Sequence, residues 1–178
     1  MDSATEQAFR DYVISRRDIL LREAFLMVGD VHLAEDLVQT TLAKAYVAWH
    51  RVAASELPDA YVRRILVNSN LSRVRRHRVR EVLTQLPPDR AWAGSDPGDR
   101  LDLLQALLSL PRRQRAVVVL RYWADLPEVE VARIMCCSVG TVRSQAYRAL
   151  AKLRVLPDLQ SLAPKEGSAR WANTKTVN

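Results

Sequence analysis

Cysteine is nearly absent from this chain: its 178 residues hold two, the neighbours Cys136 and Cys137. Adjacent thiols are too few for a four-ligand zinc site and badly placed to staple a fold, so they read as reduced packing residues and no metal is expected. Glycine is scarce, at five residues, and no glycine-rich phosphate loop occurs. The three histidines are scattered and no nucleophile-base set is visible, so an enzyme is the least favoured class and no cofactor is expected. Long apolar runs, a signal peptide and a lipidation motif are all missing, which argues against a membrane partner and gives the cytoplasm as the expected location. Acidic residues are absent from two stretches, Ala60 to Arg80 and Val131 to Leu156.

What is present is positive charge on a globular composition. A net charge of +7 points to a polyanionic partner, because each neutralised phosphate releases counterions, and 48% hydrophobic residues suffice for a folded core. Prolines fall mostly between apolar stretches, so the chain reads as helices separated by short breaks. The expected fold class is all-α, with two small helical domains joined by a flexible linker.

In chain order, Phe9, Val13, Leu20, Ala24 and Met27 recur at helical intervals and predict one long helix over Glu6 to Val28. Gly29 suits the left-handed conformation that stops a helix, and Asp30 can cap the next one, expected over Val31 to Trp49. Its start leaves Glu35, Asp36, Gln39 and Thr40 as an exposed acidic and amide patch. Acids there complement the helix dipole; in so basic a chain they equally suit docking of a cationic partner. Pro58 opens a third helix with Val62, Ile65 and Leu66 inward. Arg64, Asn68, Ser72 and Arg75 line another face, among seven arginines between Ala60 and Arg80. Such unbalanced charge favours nucleic acid over a merely solvated face, and the Asn68 amide can read a base edge.

Residues 81–100, with Pro87, Pro88, Gly94, Pro97 and Gly98, read as a linker between a first domain at 1–80 and a second at 101–156. In the second, Leu101 to Leu110 is helical in spacing, and Pro111 opens a helix over Arg112 to Trp123. Val117, Val118 and Val119 suit a strand by propensity, but no partner strand exists. A short helix over Pro127 to Met135 follows, and 157–178 reads as a flexible tail.

The run Met135 to Arg154, MCCSVGTVRSQAYRALAKLR, has the form of the second half of a helix-turn-helix. Ser138 is a good N-cap for the backbone near Thr141, and Val139, Val142, Ala146, Ala149, Leu150 and Leu153 share one face. The opposite face carries Thr141, Ser144, Gln145, Arg148 and Lys152, with Arg143, Tyr147 and Arg154 along one flank. Short hydrogen-bonding side chains and cations suit a major groove, and an ordinary amphipathic helix with a solvated basic face accounts for the pattern equally well.

GDVHLAEDLVQTTLAKAYVAW, from Gly29 to Trp49, resembles the core-polymerase-binding segment of bacterial extracytoplasmic-function sigma factors. LPRRQRAVVVLRYWADLPEVEVARIMCCSVGTVRSQAYRALAKLR, from Leu110 to Arg154, resembles their promoter-reading domain, and the resemblance covers roughly residues 6–156. It implies a non-enzymatic factor that binds core RNA polymerase, directs it to promoter DNA and helps open it. Glu35, Asp36, Leu37, Val38 and Gln39 match the segment that docks on the clamp helices of the polymerase largest subunit. Arg64, Asn68, Arg73, Arg75 and Arg76 fall in the helix that engages the -10 element. Thr141, Arg143, Ser144, Gln145 and Arg148 match positions that meet the -35 element, with Arg112, Arg113 and Arg115 as candidates for backbone phosphates. An anti-sigma factor is a further partner the resemblance admits. The runner-up is a stand-alone dimeric helix-turn-helix regulator, and a helical adaptor acting only through protein contacts is a third class.

Three departures stand out. Cys136 occupies a turn position where the family usually has glycine, at the cost of a left-handed conformation for a side-chain-bearing residue. Pro127 replaces the usual serine or threonine cap, leaving capping to Asp125, to water or to nothing. Gln145 stands where a basic residue is common, and a glutamine can pair with adenine.

Overall fold

The computed structural model describes residues 3–72 and 97–155, the first four residues of the second segment by backbone alone. Among the described residues there is helix and no strand, as the spacing predicts. The stretches 73–96 and 156–178, with Arg73, Arg75, Arg76, most of the expected linker and the expected tail, lie outside them.

Helix α1 (Ser3–Val28) ends at Gly29, which adopts φ 78°, and Asp30 caps α2 (Val31–Val47) by accepting from the Leu33 N–H at 2.8 Å. Both local signals act as expected. The second helix stops two residues earlier than its apolar pattern suggests: the chain turns at Ala48 and restarts as α3 (Trp49–Ala53). That restart turns Trp49 inward, where Phe9 and Tyr12 meet its ring at centroid distances of 5.1 and 5.2 Å. Helix α4 (Pro58–Ser72) packs against α2 and α1.

Glu23 of α1 is wholly buried and accepts two hydrogen bonds from Arg63 Nε, at 3.0 and 3.1 Å, and one from its terminal nitrogen at 2.7 Å. Burial alone would lower the Arg63 pKa, and the bonds and charge of Glu23 outweigh it and raise it. A buried carboxylate persists only when so satisfied.

The second half begins with α5 (Pro97–Ser109), so residues 97–100, expected as linker, are already helical. Proline is favourable at a first helical position, and the run of turn-forming residues hid this start. Helix α6 (Arg112–Val118) continues into a π-helical turn at Val119–Trp123, and Val117, Val118 and Val119 are buried and helical. Then come α7 (Glu128–Met135) and α8 (Val139–Arg154).

The apolar core runs continuously through both halves. The C-terminal half of α1 is covered by α2 and α4 on one side and approached by α5, α6 and the π turn, while α7 packs on α4. Two features hold this seam. A Cβ on Gly29 would stand 2.4 Å from Leu108 Cδ1, so any side chain there forces Leu108 to shift, and the positive φ adds strain. Arg115 reaches across to the Met27 carbonyl at 2.7 Å and bonds the carbonyls of Leu108 and Leu110 at 2.6 and 3.1 Å. Its guanidinium thus meets the negative ends of α1 and α5.

Candidate nucleic-acid interface

The helix-turn-helix is built from local chemistry. Its entry is fixed from the backbone side: Arg121 donates to the Leu126 carbonyl, and Asp125 takes φ 50°. Pro127 stands at the N-cap of α7 with no side-chain cap bond. Cys136 takes φ 50°, ψ 52°, the left-handed conformation, and the N–H groups of Cys136 and Cys137 return to the Arg133 and Ala132 carbonyls at 3.3 and 3.0 Å. The turn therefore keeps its geometry despite the missing glycine. Ser138 caps α8 by accepting from the Thr141 N–H at 3.1 Å.

Val142, Ala146 and Ala149 face inward from α8, and Arg143, Ser144, Tyr147, Arg148, Lys152 and Arg154 are exposed, with Gln145 half-buried. Two hydroxyls on this helix are already engaged. Ser144 donates to the Gly140 carbonyl at 2.9 Å, and Thr141 shares a 2.9 Å hydrogen bond with Ser138. The Ser144 oxygen consequently presents lone pairs outward, which suits a base-edge amino group. Arg143 is 70% exposed and its Nε lies 2.7 Å from Glu128 Oε2.

On α4, Arg64 and Asn68 are exposed one helical turn apart, as expected, while Ser69 and Asn70 turn inward. Ser69 accepts from Lys44 Nζ at 2.9 Å. At the start of α2, Asp36 and Gln39 are exposed, and Glu35 is half-buried with His32 Nδ1 at 3.9 Å. Leu37 and Val38 are not surface residues: they are 1% and 2% exposed and belong to the core. They hold α2 in place and leave the patch to their polar neighbours.

The three arginines expected to meet phosphates separate. Arg113 is exposed; Arg112 is half-buried and donates to the Asn70 carbonyl at 3.4 Å. Arg115 is 8% exposed with its terminal nitrogens committed to carbonyls, so it is a packing residue and not a phosphate contact in this arrangement. Burial, with the Arg112 charge behind it, pushes its pKa down to about 10. The Arg112 pKa is lowered by burial as well. Glu23 lies between Leu20, Ala24 and Met27 on the apolar face of its helix, a sequence signal of burial, while Glu128 reads in the sequence only as an acid at the positive end of α7.

A helix-turn-helix whose second helix carries exposed cations, on an all-helical scaffold, is the form of a DNA-binding transcription factor. Two family models match the chain: sigma-70 region 2 over residues 13–80 and sigma-70 region 4 over residues 100–153. The chain is 40% identical over 148 residues to an RNA polymerase sigma-E factor of Streptomyces avermitilis, covering 82% of this chain and 83% of that one. It is 28% identical over 170 residues to the ECF RNA polymerase sigma factor SigW of Bacillus subtilis, covering 84% and 88%. In structure it is similar to the sigma factor RpoE solved in complex with the anti-sigma factor NepR from Bartonella quintana, at TM-score 0.67 and 25% identity over 83% of this chain and 95% of that one. The chain belongs to the sigma-70 family, among the extracytoplasmic-function sigma factors. It is a sigma factor that directs RNA polymerase to promoters, and sigma factors are initiation factors rather than enzymes. No helix of the described residues is long and apolar enough to cross a membrane.

Proposed function

We propose that this sigma factor works through three surfaces and has no catalytic activity of its own. Glu35, Asp36 and Gln39 dock on the clamp helices of the polymerase largest subunit, with Leu37 and Val38 shaping that surface from beneath. Arg64 and Asn68, followed by Arg73, Arg75 and Arg76, engage the -10 element and assist its opening. Thr141, Arg143, Ser144, Gln145 and Arg148 meet the -35 element, with Arg113 and Arg112 near the phosphates. The first domain spans 1–80 and the second, expected at 101–156, takes in the whole of α5 from Pro97, and the chain acts in the cytoplasm, where its polymerase is.

The observation that carries this reading is the separation of charge: exposed Asp36 near the start of α2, and exposed Arg64 on α4 with the cations of α8. Like charges repel, so an acidic edge on a basic molecule is poorly suited to DNA and well suited to a protein. Fixed phosphate contacts supply register, and base edges supply sequence. An anti-sigma factor is a fitting regulator, since the similar RpoE is bound by one.

The test is Asp36→Arg. Its exposed position leaves the fold intact, and the reversed charge is expected to abolish co-elution with core polymerase; normal co-elution by a folded variant would refute the docking assignment.

A further inference from the structure

Arg143 and Glu128 are paired across the helix-turn-helix. Glu128 is the first residue of α7 and Arg143 lies in the second turn of α8, fifteen residues on, and their ion pair joins the two helices of the motif. The carboxylate accepts from Nε, at 2.7 Å, and not from the two terminal nitrogens. This matters for what the guanidinium does next. An arginine held through Nε keeps its terminal fork, two N–H donors side by side, pointing away from the carboxylate. That fork matches the O6 and N7 acceptors of guanine.

A second consequence is electrostatic. Unpaired, a long exposed arginine at the rim of a groove is drawn to the nearest phosphate, which carries no sequence information. A carboxylate beside it competes with the phosphate for the guanidinium and repels the DNA backbone. An exposed pair of this kind contributes little to stability, because side-chain entropy and solvent screening offset the attraction. Its cost to general DNA affinity therefore has to be matched by some other gain.

We propose that Glu128 is a positioning residue for promoter reading: it holds Arg143 through Nε so that its terminal fork reads a guanine of the -35 element instead of neutralising a phosphate. The proposal rests on the reading of Arg143 as a -35 contact given above. Glu128 touches no base itself; it acts through Arg143.

The test uses polymerase holoenzyme reconstituted with the full chain, bound to promoter fragments in which each -35 base is varied. For Glu128→Ala, preference for the guanine-bearing site narrows by about three- to fivefold, the upper reach of an exposed pair. Affinity for altered sites rises. The salt slope steepens by about 0.9, as Arg143 takes up one phosphate. Glu128→Gln keeps an acceptor for Nε but gives up the charge that competes with phosphate, so it retains part of the preference. Arg143→Ala loses the preference, and adding Glu128→Ala to it changes nothing more. An unchanged preference and salt slope in Glu128→Ala, with Arg143→Ala still losing its preference, overturns the proposal and leaves Arg143 as a reader. An unchanged preference in Arg143→Ala overturns both. Equal loss in Glu128→Ala and Glu128→Gln also overturns it, by assigning Glu128 a role through charge alone.

Discussion

Arg148 is exposed on α8 one turn beyond Ser144, on the same side of the helix. For Arg148→Ala we expect a loss of about 1–3 kcal/mol confined to one -35 position if it reads a base. A uniform, smaller loss across promoter variants, measured by the same binding series, would assign it to phosphate. The Glu23–Arg63 pair is a different kind of residue-scale feature, buried and bonded through three contacts. Removing one partner strands the other charge, so Arg63→Ala should cost about 3–5 kcal/mol in denaturant unfolding, against about 1 kcal/mol or less for the exposed Arg10–Glu6 pair. The sequence could not separate such arginines by type. Arg64 and Arg63 are neighbours, one exposed and one turned to Glu23, and only the periodicity of α4 distinguishes them. Arg115, expected at a phosphate and found buried, shows the same ambiguity. Its place beside the buried run Ala116 to Leu120 was the available signal, and its partners are backbone carbonyls that no sequence pattern displays.

At the scale of elements, the turns were the most legible part because each depends on one or two residues. Ser138 and Asp30 cap the helices they were expected to cap, and Gly29 takes the left-handed conformation. Pattern failed where helices meet without an obvious break, as at Ala48, or begin within turn-forming residues, as at Pro97. The turn of the helix-turn-helix shows how a local rule is overridden. Cys136 adopts φ 50° because the α7 and α8 packing fixes the chain path and the Cys137 N–H still satisfies the Ala132 carbonyl. A side-chain-bearing residue there is strained by about 1–2 kcal/mol, partly offset by the extra entropy that glycine gives the unfolded chain. Cys136→Gly should therefore raise stability by up to about 1 kcal/mol in thermal unfolding, with -35 preference unchanged. Destabilisation by this substitution would mean that the Cys136 side chain packs more favourably than its exposure indicates.

Over the whole molecule, two regions with separate family matches share one core, a feature the sequence did not suggest because the seam is made of small and buried groups: Gly29 against Leu108, and Arg115 against the Met27 carbonyl. Gly29→Ala combines a positive φ with a Cβ in the space of Leu108, and should cost about 1–2 kcal/mol from the backbone alone, read as a lowered midpoint in thermal unfolding. The same seam leaves Asp36 of α2, Arg64 of α4 and the cations of α8 exposed together, the surfaces proposed to meet polymerase and promoter. The most direct measurement of that role is run-off transcription by core polymerase from a promoter library, with and without the purified chain. New promoter-specific transcripts that appear only with the chain, and vanish with Asp36→Arg, are the result this account predicts. Absence of any core complex, together with tight binding of the chain alone to a palindromic duplex, would contradict it.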